Sequence, residues 1–181
     1  EDQKSLMREL TLLANLNHPN CLKLIGFTLQ PEIIIITPFM SKGSLEDALM
    51  HQFDNEPGYE EFTLTKRMCS IYGICSTMYY IHSKNIIHRD FKPENIFLND
   101  DYEICIADFG LSRAVQENIN LTRGTIGTPM YMAPEIFSDE NGYTNAVDVY
   151  SFGCILYHYF IRDLGKLDDN KGRIKGKSNF L

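Results

Sequence analysis

Eight consecutive residues, His88-Arg89-Asp90-Phe91-Lys92-Pro93-Glu94-Asn95, constrain this chain more than any other stretch of its sequence. From Lys84 to Ala107 short apolar runs alternate with turn residues, Asn99-Asp100-Asp101 among them, so the octapeptide reads as a short loop between apolar runs. Asp90, Lys92 and Asn95 lie within six residues, so one loop can point all three at a single centre. A second acidic motif, Asp108-Phe109-Gly110, follows eighteen residues after Asp90, at the end of a separate strand.

The rest of the chain supplies the frame. Leu6, Leu10, Leu13 and Leu16 recur at spacings of four and three, one face of a helix over 2–16. His18-Pro19-Asn20 ends it, because proline disfavours the helical region in the residue before it. Leu22–Leu29 and the β-branched Ile33–Thr37 read as strands. Ser44 with Asp47 resembles a capping box, predicting a short helix to about residue 51. A longer helix is predicted from Thr63 to Ser83, its apolar stripe being Leu64, Met68, Ile71, Tyr72, Cys75, Met78 and Ile81. Residues 108–134 read as a long loop, and Asn145–Ile161 as a buried apolar helix.

Composition excludes several classes. Hydrophobic residues make up 44% and charged residues 23%, a globular balance that excludes a disordered tail or a collagen-like repeat. The formal net charge is -7; residues 162–181 carry +3, leaving -10 on 1–161. An acidic body repels phosphate backbones, so no nucleic acid partner is expected, and phosphate chemistry would need a local positive site or a metal. Cysteines at 21, 69, 75, 105 and 154 form no C-x-x-C pair, so reduced thiols in core packing, in a cytoplasmic protein, are expected. No run reaches the roughly 18 apolar residues of a membrane span, and no secretory signal opens the chain. It begins at Glu1 without an initiator methionine, which reads as a piece of something longer.

Phosphoryl transfer spreads negative charge over the moving group, so catalysis there is positioning plus electrostatic stabilisation. One group must accept the attacking hydroxyl's proton, and another must offer Mg²⁺ the hard anionic oxygen it prefers. The loop 88–95 and Asp108 have the residues for both tasks. In these motifs the sequence resembles the eukaryotic protein kinase family. Ala133-Pro134-Glu135, 27 residues beyond Asp108 at Glu135, matches the family's A-P-E.

The resemblance implies an α+β, protein-kinase-like fold: mostly the helical C-lobe, with an N-lobe truncated to its C-helix and about two strands. It implies ATP and Mg²⁺ as cofactors and a protein as substrate. Asp90 matches the catalytic base, Lys92 the lysine that neutralises the γ-phosphate, and Asn95 and Asp108 the metal ligands. Glu9 matches the C-helix glutamate, Thr37 the gatekeeper, and Pro38-Phe39-Met40 the hinge, with the Met40 N–H as donor to adenine. Phe97 falls where the family usually places a leucine under the adenine. Leu13, Leu24, His88 and Phe109 match the apolar stack of an active state, and Asp148 the buried aspartate below the catalytic loop. Gly127–Met132 matches the part that receives the substrate's next residue; Thr128 and Lys92 there favour Ser/Thr acceptors. Arg89 matches the arginine that grips a phosphate on the loop, with Thr122 and Thr125 as candidate acceptors. Tyr150-Ser151-Phe152 and Gly43-Ser44-Leu45 look like the tyrosine-kinase-like group.

The resemblance divides the chain into residues 1–38, an N-lobe remnant; 39–161, the C-lobe with catalytic loop and activation segment; and 162–181, a basic tail that does not match. The G-x-G-x-x-G loop and V-A-I-K lysine would precede Glu1, so the chain is expected to be an incomplete Ser/Thr kinase domain. The alternative is a catalytically silent, pseudokinase-like interaction module. A small-molecule phosphotransferase is disfavoured by the Gly127–Glu135 run. Nothing in the sequence indicates an oligomeric state.

Overall fold

The computed structural model describes residues 3–54, 61–109, 113–114, 129–137 and 144–160. In chain order these form α1 (Gln3–Asn15), β1 (Gly26–Thr28), β2 (Ile34–Ile36), α2 (Leu45–Asp54), α3 (Leu64–Ser83), β3 (Ile86–Ile87), β4 (Ile96–Leu98), β5 (Ile104–Ile106), β6 (Arg113–Ala114) and α4 (Ala146–Phe160). Short 3₁₀ turns occupy Pro93–Asn95, Pro129–Tyr131 and Pro134–Phe137. Each strand pairs antiparallel with one neighbour, β1 with β2, β3 with β6 and β4 with β5. The architecture is the expected α+β one, dominated by helices.

The core lies where α2, α3 and α4 meet the β4–β5 hairpin. Leu45, Ala48 and Leu49 of α2, Ile74 and Ile81 of α3, the inward residues of both strands, and Ile155 and Tyr159 of α4 are all buried there. The capping box is present: Ser44 Oγ accepts from the Asp47 N–H (3.1 Å), while Asp47 Oδ2 accepts from the Ser44 N–H (3.0 Å). The turn is thereby closed from both sides. At the start of α3, Thr63 Oγ1 caps the Lys66 N–H.

The predicted stripe on α3 is partly wrong. Leu64, Met68 and Tyr72 are exposed, Tyr72 at 76%, whereas Ser70, Gly73, Ile74, Thr77 and Ile81 form the buried face. The helix packs by close approach rather than by bulk. A Cβ at Gly73 would stand 2.8 Å from Ile104 Cγ1, so only glycine lets the helix lie this near β5. Ser70 and Thr77 satisfy their hydroxyls locally, on Arg67 O and Gly73 O. Apolar periodicity therefore found only part of the inward side of this helix, Ile71, Met78 and Ile81 lying on or against the core.

Four other expectations change. Helix α4 is buried on one side only, its inward row holding Val147, Asp148, Ser151, Ile155, His158 and Tyr159, while Val149 and Phe160 are exposed. The strand expected over Leu22–Leu29 shrinks to Gly26–Thr28, because the Leu22 N–H donates instead to Ile106 O (2.8 Å) and binds this stretch to β5. The loop after Asp108 contains β6, paired with β3. All five cysteines are unbridged, but only Cys21 is buried and Cys69 is exposed. Burial, with Cys105 nearby, pushes the Cys21 thiol up to about 12.

Candidate active site

Asp148 organises the site from below. It is fully buried on α4, a costly place for a carboxylate unless its oxygens are hydrogen-bonded. Oδ1 accepts from the Arg89 N–H (2.9 Å), and Oδ2 from the His88 N–H (2.9 Å) and His82 Nε2 (2.8 Å). Arg89 has φ 74, a left-handed conformation that costs a non-glycine residue of order 1–3 kcal/mol. The carboxylate grips the two successive amides that flank His88, and so anchors the backbone leading into Arg89.

His88 joins this loop to the strand carrying Asp108. Its Nε2 lies 3.0 Å from Ala107 O, so Nε2 bears the proton; Nδ1 then accepts from the Asp90 N–H at 3.4 Å. The ring packs edge-on against Phe109 (4.8 Å between centroids) and, tilted by 36°, against Phe91 (4.5 Å). Leu13, Phe91 and Phe109 share the main core, with Leu24 packed on it; of the expected apolar stack, His88 and Phe109 are in contact.

Burial holds the His88 imidazole below its usual value, despite the opposing pull of Asp148, the Ala107 carbonyl, Asp90 and Asp108. The folded protein keeps it neutral, whereas in the unfolded chain it titrates near ~6.5. Below that pH the unfolded state binds a proton that the folded state refuses. Stability present above pH ~6.5 is therefore lost as the pH falls, by up to about 1.4 kcal/mol per unit per histidine. Urea denaturation at neutral and mildly acidic pH should show this loss, and His88→Asn should reduce its slope. His18, lowered by burial as well, keeps part of the slope in the variant.

Above this base the candidate reacting groups converge. Asn95 Nδ2 donates to Asp90 Oδ2 (2.9 Å) and to Asp90 O (3.0 Å), and Lys92 Nζ lies 3.2 Å from the same Oδ2. The Asn95 N–H closes the turn on Lys92 O (3.0 Å). The Ala107 N–H donates to Asn95 O (2.9 Å), which sets Asp108 beside the loop, exposed and with φ 58. Aspartate tolerates that conformation better than most residues.

No three His, Cys, Asp or Glu cluster as a metal site among the described residues. The donors at hand are one exposed carboxylate, Asp108, and the amide oxygen of Asn95, whose nitrogen is committed to Asp90. So small a set suits Mg²⁺, which takes its remaining ligands from water and substrate phosphates.

The other sequence-derived residues are placed unevenly. Thr37, Pro38 and Met40 follow β2, half-buried, with Phe39 between them 90% exposed. Met40 O accepts from the Gly43 N–H (3.2 Å). Phe97 sits on β4 opposite Cys105 and forms a bridge with Ser44. Glu9 belongs to α1, but its side chain lies outside the described residues, as do Thr122, Thr125 and Thr128.

Sequence reasoning missed His82 and Ser151. A buried aspartate needs more than one donor, and that was the available signal for His82. For Ser151 the signal was its place one turn beyond Asp148, on the same face of an apolar helix. His158 was missed too; its Nδ1 faces both Tyr131 Oη (3.3 Å) and Glu46 Oε2 (3.5 Å).

Residues 1–175 match the protein kinase domain family. The match runs past Ile161 into the segment read as a basic tail. The chain is 32% identical over 161 residues to a probable serine/threonine-protein kinase, nek3, of Dictyostelium discoideum, covering 87% of this chain and 14% of that protein. It is 34% identical over 160 residues to the serine/threonine-protein kinase CTR1 of Arabidopsis thaliana, covering 87% of this chain and 19% of that protein. With the Arabidopsis serine/threonine/tyrosine-protein kinase HT1 it shares 36% identity over 156 residues, 86% of this chain and 38% of that protein. The chain thus spans well under half the length of these relatives. Its catalytic-loop geometry and the match over nearly its whole length agree: the chain belongs to the protein kinase domain family.

Proposed function

We propose that the protein containing this chain transfers the γ-phosphate of ATP to serine and threonine hydroxyls of other proteins. The observation that carries the reading is the convergence of Asp90, Lys92 and Asn95 on one carboxylate oxygen, with the Asp108 strand bonded to Asn95. Asp90, oriented by Asn95, accepts the proton of the attacking hydroxyl. Lys92 places a positive charge where the transferred group develops negative charge. Asn95 and Asp108 are the residues suited to hold Mg²⁺, which when bound neutralises the nucleotide phosphates. The acidic body of residues 1–161 makes that local positive charge necessary.

Three finer assignments belong to the same proposal. The motifs Tyr150-Ser151-Phe152 and Gly43-Ser44-Leu45 support membership of the tyrosine-kinase-like group. The absence of any C-x-x-C pair and the unbridged cysteines support a cytoplasmic location. Thr122 and Thr125 are the phosphate acceptors proposed for Arg89, an Arg–phosphate contact able to order a loop. No helix among the described residues is long and apolar enough to cross a membrane.

Amino-acid analysis of a protein substrate phosphorylated by the intact enzyme tests the activity. Phosphoserine and phosphothreonine are expected, and transfer should stop when divalent cations are chelated. A product containing mainly phosphotyrosine, or none at all, overturns the reading.

A further inference from the structure

We propose that His18 is an acid-sensitive latch between the chain leaving α1 and helix α3: on protonation its Nδ1 releases the Asn20 amide and turns to the Thr77 hydroxyl. The proposal goes beyond the phosphoryl-transfer reading and does not depend on it.

The chain from Leu16 to Leu22 crosses from α1 to β5 along α3, and several hydrogen bonds tie it down. The Leu22 N–H donates to Ile106 O (2.8 Å), and the Ile106 N–H to Asn20 O (2.7 Å). Asn20 Nδ2 donates to Ile104 O (2.9 Å), and the Asn17 N–H to Tyr80 Oη (2.8 Å). The Asn20 N–H takes its acceptor from a side chain that titrates near neutral pH: His18 Nδ1, at 3.2 Å.

That contact fixes the state of the ring. An amide N–H can only donate, so Nδ1 carries no proton and Nε2 carries it. Nε2 then donates to Ser76 Oγ (3.1 Å). The ring is stacked on Tyr80, with 5.1 Å between centroids. Thr77 Oγ1 lies 3.3 Å from Nδ1, but its single proton already goes to Gly73 O (2.9 Å). Hydroxyl and imidazole therefore meet there lone pair to lone pair. The neutral ring leaves that contact unused.

A second proton on the ring reverses both contacts. The new Nδ1–H finds a lone pair on Thr77 Oγ1, while it meets the Asn20 N–H donor against donor. The ring stays on α3, and the Asn20 amide loses its acceptor. Asn20 is half-buried, and an amide left unpaired inside costs enough that the backbone moves to reach water.

Burial holds the His18 imidazole below its usual value, so the latch opens below pH ~6.5. The titratable groups on the α3 side are Tyr80, against the ring, and Lys84, whose ammonium lies 5.1 Å from the centre of the same Tyr80 ring. On the linker itself the Cys21 thiol is pushed up to about 12 and stays neutral throughout. β5 reaches this stretch through its main chain, and α1 ends in the uncharged Asn15. His18 is the group at this joint that answers to mild acid.

The test uses the intact protein. Hydrogen exchange is read residue by residue at about pH 7.5 and about pH 5, corrected for the intrinsic pH dependence of exchange. Protection of the Asn20 amide should fall about three- to tenfold at the lower pH, the effect of one hydrogen bond. The Leu22 amide should keep its protection. In His18→Gln, protection at Asn20 should no longer depend on pH. Thr77→Val removes the partner of the protonated ring and serves if His18→Gln folds poorly. In that variant the His18 titration, followed by its Cε1 proton resonance, should move lower by about half a unit to one unit. Constant protection of Asn20 in the wild type overturns the proposal. So does an equal loss at Asn20 in His18→Gln, or a parallel loss at Leu22, which would mean that acid acts on the fold at large. An unmoved His18 midpoint in Thr77→Val overturns the exchange of partners.

Discussion

Replacing Asp90 with asparagine is expected to lower phosphoryl transfer by about 10²–10⁴, the usual contribution of a positioned acid–base group. Nucleotide binding should survive, because Asp108 and Asn95, the residues suited to the metal, are untouched. The substitution is close to isosteric, so its structural effect is confined to the new amide. That amide no longer accepts a proton, although its oxygen can take the place of Oδ2 and still accept from Asn95 Nδ2 and Lys92 Nζ. Steady-state rates and titration with a fluorescent ATP analogue, measured on the same preparation, separate the two effects. Turnover above about a tenth of wild type would remove Asp90 from the role of base.

The largest effect on stability is expected at Asp148. In Asp148→Ala the His88 and Arg89 amides and His82 Nε2 lose their common acceptor within a buried site. Each unsatisfied buried donor costs about 1–3 kcal/mol, so a loss of about 2–5 kcal/mol is expected after partial relaxation. Asp148→Asn should cost less but still destabilise, since its amide turns two donors toward a site that already supplies three. The loop bearing Asp90 would also lose its anchor at His88 and Arg89, so activity should fall further than stability alone requires. Denaturant unfolding of the two variants beside wild type measures the first effect. A loss below about 0.5 kcal/mol, the scale of an ordinary surface change, would mean that the carboxylate is not what holds the loop.

Much of the site was legible because its chemistry is local in sequence. Asp90, Lys92 and Asn95 lie on one loop, and a turn of that length leaves them little freedom to diverge. The capping box of α2 was legible for the same reason, since Ser44 and Asp47 are three residues apart and satisfy each other. The inward face of α3 was not. Periodicity ranks faces by apolar content, while this helix turns Ser70, Gly73 and Thr77 inward so that its backbone can approach β5.

Taken alone, the sequence determined the family, the helices α2 and α3 to within a few residues, and the identity of the loop residues that meet at one oxygen. These follow from hydrogen-bonding groups and turn residues a few positions apart, whose geometry is set before any long-range contact forms. Tertiary structure alone decided which donors satisfy Asp148, that His88 bridges the catalytic loop to Ala107, and that Ser151 reaches Tyr131 as well as its own helix. Those choices join residues 66, 19 and 20 positions apart. Two of them depend on how closely α4 packs under separate loops and the third on how β5 ends beside the catalytic loop, and distance along the chain does not encode those separations.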